Sequence, residues 1–112
     1  MSHIPFQHID WADVPKEEHP GTTGTSFWQT ILHNGLRVRI VEYSPGYMAD
    51  HWCQKGHIVY CLEGSFISEE ENGGITKLGK GDTYIVSDNL SSHRSTSAGG
   101  AKLFIIDGDF LK

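Results

Sequence analysis

The stretch ADHWCQKGHIVYCLEGSF, residues 49–66, places Asp50, His51, Cys53, His57 and Cys61 within a dozen positions and runs into an apolar segment ending at Gly64. Side chains on a strand alternate faces. His51 and Cys53 therefore share one face of a strand expected before Gln54-Lys55-Gly56. If that tripeptide turns the chain back, Cys53 lies opposite His57 and His51 opposite Val59, with Cys61 further along the same face. Imidazoles and a thiol crowded on an inward face are costly unless something satisfies them. A divalent metal does so, and a hydrogen-bonded core histidine is the plainer alternative. A register shifted by one residue would instead turn Asp50 and Trp52 inward with His57 and put His51 outside.

Working outward, the chain reads as strands. TSFWQTIL and LRVRIVEY flank Asn34-Gly35, a pair suited to a tight hairpin because both central residues of the favoured turn need positive φ. Leu36, Val38 and Ile40 share one face of the second segment, and Arg37 and Arg39 share the other. Downstream come HIVYCLE, Gly64, SFISEE, an ENGG turn, ITKL, Gly79-Lys80-Gly81-Asp82, TYIVSD, HRSTS and AKLFIID. That makes about nine short strands bounded by Gly, Pro, Asn or Ser, with no helical periodicity longer than a turn or two. The expectation is an all-β sandwich or barrel. Residues 1–24, with the Pro-containing segments Val14-Pro15 and His19-Pro20 and a GTTG segment, read as an N-terminal arm anchored by Ile4, Phe6, Ile9, Trp11 and Val14. The arm packs on the domain or on a partner, and the barrel occupies 25–112.

Composition narrows the function classes. The 112 residues fit one domain with a modest core, 38% hydrophobic. The nine Lys and Arg are scattered within a net charge of -5, which does not favour nucleic acid. No apolar run approaches the roughly 20 residues of a membrane span. The N-terminus lacks the basic-then-apolar order of a signal peptide. The two cysteines therefore read as reduced thiols, and a cytoplasmic location is expected.

The segment from Gly46 to Ile106 resembles the cupin superfamily. Its first motif is matched by the run from Gly46 through His51 to Gly64, with YCLEG where cupins carry a tyrosine-bearing strand ending in Glu-Gly. Its second is matched by LGKGDTYIVSDNLSSH, opened by Gly81-Asp82 and closed by His93. More narrowly, ADHWCQKGH is similar to small single-domain DHCW-motif cupins. The resemblance implies a double-stranded β-helix, or jelly-roll barrel, and a homodimer. It also implies a metal site of three histidines and a glutamate. Carried over residue by residue, His51 takes the first histidine position and His93 the last. Cys53 stands at the second histidine and His57 at the glutamate. The implied ligand set is His51, His57 and His93 with Cys53 as an anionic fourth. Zinc or iron suits it first, nickel or copper next, and manganese less because the hard carboxylate oxygen is missing.

Trp28, Val59 and Tyr60 are candidate pocket-lining residues. Cys61 reads either as a buried small hydrophobe or as a pocket thiol. His3, His8, His19 and His33 read as surface residues. No residue pattern names a catalytic group. Two functions fit: a metalloenzyme of oxygenase or isomerase type acting on a small organic molecule, and a non-catalytic module that holds a small ligand or the metal as a sensor.

Overall fold

A computed structural model describes residues 3–112. Among them are nine strands: β1 Glu17–Pro20, β2 Thr25–His33, β3 Leu36–Tyr43, β4 Tyr47–Met48, β5 His57–Glu70, β6 Ile75–Gly79, β7 Thr83–Val86, β8 His93–Ser97 and β9 Ala101–Gly108. The only helical pieces among the described residues are single 3-10 turns at Trp11–Asp13 and Asp109–Leu111. All the strand pairs are antiparallel. The expected jelly-roll architecture is the one observed.

The hairpin between β2 and β3 forms where the Asn34-Gly35 pair requires it. Both residues have positive φ, 45° and 81°, and His33 pairs with Leu36 across a two-residue loop. β5 is the organising strand. Its first half pairs with β7 and β9, and its second half pairs with β6 and β8. It passes from one sheet to the other through a register irregularity between Cys61 and Glu63 and a Gly64 with φ 74°. A Cβ at Gly64 would run into the Gly100 carbonyl oxygen, so the bend needs glycine. Asp82, expected to bond local backbone, accepts the Gly79 N–H at 2.8 Å.

The core lies between the sheets. Val41, Val59, Cys61, Phe66, Leu78 and Leu103 are each at most 3% exposed. Strand alternation puts Arg37, Arg39, Val41 and Tyr43 of β3 on the inner side. The inner face of β3 is thus the arginine-bearing one. Ile40 and Phe104 pair on the outer side, where Trp11 meets Phe104 edge-on and Gln29 donates to the Trp11 and Val14 carbonyls. Within the 1–24 segment, Glu17–Pro20 is an edge strand on β2 and Phe6 is fully exposed.

The region before β5 departs from expectation. The strand expected through Cys53 stops at Met48, and residues 49–56 are irregular. Cys53 is bridged to His93, not set across a turn from His57. The reason is topological. β4 pairs with β8 in one sheet, whereas the start of β5 pairs with β7 and β9 in the other. The connection must cross between sheets, so it cannot be a hairpin.

Candidate metal centre

Three potential ligands converge at one end of the space between the sheets. One ligand atom each from Cys53, His57 and His93 lies within 4.8 Å of the others. His57 opens β5 and His93 opens β8, so two strand ends in different sheets supply the imidazoles. Their rings meet at 5.5 Å and 75°. Cys53 arrives on the crossing segment, which is clamped at three points. Cys53 and His93 exchange backbone hydrogen bonds at 2.7 and 2.9 Å, Asn89 N–H donates to the Gln54 carbonyl, and Gly56 N–H donates to Asp88 at 2.6 Å.

The hydrogen bonds assign the tautomer of His57. Asp107 is 1% exposed and accepts from the Arg37 guanidinium at 2.8 and 2.9 Å and from Arg39 at 3.1 Å. Burial raises its pKa, but His57 and the two arginines outweigh burial and hold the carboxyl well below the usual range. An ionised carboxylate only accepts, so at 2.9 Å His57 Nδ1 carries the proton. Nε2 is then the lone pair of the neutral ring, available to a metal, and it faces Cys53 Sγ at 3.7 Å. This is how a ligating histidine is oriented by a carboxylate behind it. In the metal-free chain a proton shared across the Cys53–His57 contact pairs the Cys53 thiolate with the His57 imidazolium. Burial raises the Cys53 thiol, but His57, His93 and the Lys55 backbone N–H together bring it down to about 5. Burial lowers His57, yet its bonds to Asp107 and Cys53 raise it overall.

The donor set fits a transition metal. Both His93 ring nitrogens are buried and neither makes a hydrogen bond of ordinary geometry. The approach to Cys53 Sγ, within 4.8 Å, is close enough to lower the thiol but leaves the imidazole in a state that a protein interior ordinarily avoids. A thiolate and two imidazoles suit zinc, iron or copper. Cys53, His57 and His93 all border a cavity of about 270 Å³, and three protein ligands would leave a tetrahedral metal one position for another molecule.

The remaining sequence candidates fall in three places. His51 sits at the cavity mouth with its side chain 76% exposed and Nδ1 2.7 Å from Asp50, and its ring is not brought to the cluster. Asp50 is exposed there beside it. Trp28 and Val59 line the cavity. Tyr60 is on the outer face and 43% exposed, and Cys61 is fully buried in the core, so neither borders it. Among the other histidines, His3 and His8 are exposed, while His19 stacks on Trp28 at 3.9 Å. Sequence reasoning missed Asp107 and Arg39. The available signal was a charged residue sharing strand parity with Leu103 and Ile105, or with Val41 and Tyr43.

No protein-family model matches the chain, and no curated protein matches its sequence. Solved structures do match. An RmlC-like cupin from Shewanella frigidimarina superposes with a TM-score of 0.71 at 19% identity, covering 92% of this chain and 91% of the other. A protein from Thermotoga maritima described as a predicted oxalate decarboxylase gives 0.77 at 16%, covering 92% and 100%. KdgF from a Halomonas species gives 0.74 at 16%, covering 94% and 96%. The chain has the cupin fold. At these identities the likeness is one of fold, and the cupin barrel here carries its thiolate and imidazoles between the two sheets. No helix among the described residues is long and apolar enough to cross a membrane.

Proposed function

We propose that this cupin holds one divalent transition metal on Cys53, His57 and His93 and presents it to a small organic molecule in the adjoining cavity. The observation that carries the reading is the pair of orphaned nitrogens on buried His93, placed beside a low-pKa thiol and an oriented imidazole. Three protein ligands with an open fourth position is the arrangement of catalytic rather than structural metal sites. It favours a metalloenzyme over a storage or sensor module.

Bound there, the metal would act as a Lewis acid on a substrate oxygen or organise a redox step, with zinc and iron the best-suited ions and nickel or copper next. The chain's own residues do the rest. Asp107 fixes His57. Val41, Leu103, Ile105 and Tyr84 form an apolar wall that limits water around the site. His51, held at Nδ1 by Asp50, stands at the cavity mouth. A cytoplasmic, reducing setting that keeps Cys53 as a thiol belongs to the same proposal. So does a homodimer, supported by large exposed apolar side chains such as Phe6 (100%) and Ile85 (73%).

The test is elemental analysis of protein purified without chelator. Close to one zinc or iron per chain is expected, with strong loss in His93→Ala and none in His33→Ala. Equal metal content in the parent and His93→Ala contradicts the proposal.

A further inference from the structure

Arg39 is the most deeply buried cation of the molecule's inner wall. The residue is 4% exposed, lies on the cavity side of β3 and borders the cavity directly. Its guanidinium is only partly engaged. Nη2 donates to Asp107 at 3.1 Å, Cζ lies over the Trp28 ring 4.4 Å from its centroid, and Nε is buried with no partner. A buried donor left without a partner is costly, the more so when it is charged. Asp107 cannot satisfy it, because its oxygens already accept from Arg37 twice and from His57.

The charges of the region do not close either. Arg37 and Arg39 against Asp107 leave one positive charge. A divalent metal against the Cys53 thiolate and two neutral imidazoles would leave another. Among the described residues that border the cavity there are three arginines, Arg37, Arg39 and Arg94, and no Asp or Glu. Arg94 is occupied by Glu69 at 3.4 Å and by the Trp52 ring, which leaves Arg39 as the cation with a free donor inside. Arg39 is also coupled to the candidate centre, through Asp107 to His57 in two hydrogen bonds of 3.1 and 2.9 Å.

We propose that Arg39 is the substrate-recognition residue of the cavity and that the molecule presented to the metal centre is a small organic carboxylate. The inference rests on the metal-centre reading for what lies beside the carboxylate, but not for the carboxylate itself. A guanidinium offers paired donors in a plane, which matches a carboxylate better than a point charge does. The cavity, about 270 Å³, has room for a small organic acid. Its walls of Val41, Leu103, Ile105 and Tyr47 suit a short apolar body behind the charged end. The net positive interior draws anions in.

The experiment uses butyrate, its neutral isostere butyramide and inorganic phosphate, each titrated into the full chain with and without one equivalent of zinc. The readout is the ¹⁵N–¹H signal of Arg39 Nε, with zinc content of the same samples measured separately. Butyrate should move that signal saturably. Butyramide should bind at least tenfold more weakly, and phosphate more weakly than butyrate. Arg39→Lys, which keeps the charge and loses the planar fork, should weaken butyrate at least tenfold by calorimetry. Equal binding of butyrate and butyramide overturns the proposal, as does tighter binding of phosphate. So does full butyrate affinity in Arg39→Lys. If Arg39→Lys fails to fold, the butyrate and butyramide contrast in the parent decides alone. Absence of zinc with an intact butyrate response counts against the metal reading and leaves Arg39 as the anion site.

Discussion

Asp107 Oδ2 lies 2.9 Å from His57 Nδ1, with both residues buried between the sheets and the far ring nitrogen of His57 turned to Cys53. The carboxylate touches no candidate ligand atom, yet it determines which nitrogen of His57 has a lone pair to offer. Metal affinity should therefore depend on Asp107. Asp107→Asn should weaken zinc by about 10–100-fold while leaving the stoichiometry at one, measured by competition with a chromophoric chelator. Unchanged affinity would mean that His57 is oriented by packing alone.

The same residue makes an acid-stability prediction. Its carboxyl is depressed in the folded chain, so its contribution is complete above the unfolded-state value of about 4 and is lost as pH falls through the lower folded value. Breaking this buried cluster by Asp107→Asn should cost about 3–5 kcal/mol at neutral pH. The gap between parent and variant should narrow on acidification below about pH 4. Denaturant melts at several pH values check it, and a gap constant with pH would contradict it.

Cys53 and Cys61 should behave as two different thiols. Cys53, half-buried and shifted down to about 5, is largely thiolate at neutral pH in the metal-free chain. Cys61 is fully buried, and burial pushes its thiol up. A disulfide reagent should modify Cys53 promptly in metal-free protein, Cys61 only on unfolding, and neither in the zinc form. Equal labelling of both would show that the crossing segment does not shelter the core.

Gly64 turns β5 from one sheet into the other at φ 74° beside the Gly100 carbonyl. Gly64→Ala should destabilise the fold by at least about 1–2 kcal/mol from the left-handed backbone alone, with the steric clash adding to it. Gly73, also at positive φ but with open space around it, should respond less to alanine. Urea melts of the two variants make the comparison.

The fold was legible because its signals are local. Asn34-Gly35, the ENGG turn and strand alternation act within a few residues, and the two cupin-like motifs sit in order along the chain. The site was legible only by halves. His57, His93 and Cys53 come together, but through a Cys53–His93 bridge and not a Cys53–His57 hairpin. Pairing across 40 positions depends on which sheet each strand joins, and nothing near Cys53 encodes that. The position of His51 turns on the same crossing: without a strand through residues 49–53, alternation no longer aims its ring inward. Asp107 and Arg39 were hidden for another reason. A charged residue on a strand reads as solvent-facing until its partners, 50 and 68 positions away, are known.

Metal that binds only the folded chain stabilises it, by about 2.7 kcal/mol at a hundredfold excess over the dissociation constant. Chelator should lower the melting temperature of the parent and leave that of Cys53→Ser nearly unchanged. His51→Ala, at the cavity mouth, should keep the chelator response. Loss of that response in His51→Ala would add His51 to the ligands.

The most direct test of a sulfur-containing centre is the absorption spectrum of the chain titrated with cobalt(II). The account predicts an endpoint at one cobalt per chain and a thiolate-to-cobalt charge-transfer band that disappears in Cys53→Ser and persists in Cys61→Ser. A spectrum with no saturable band, or a band unchanged by Cys53→Ser, would contradict the assignment of Cys53, His57 and His93 as the metal centre.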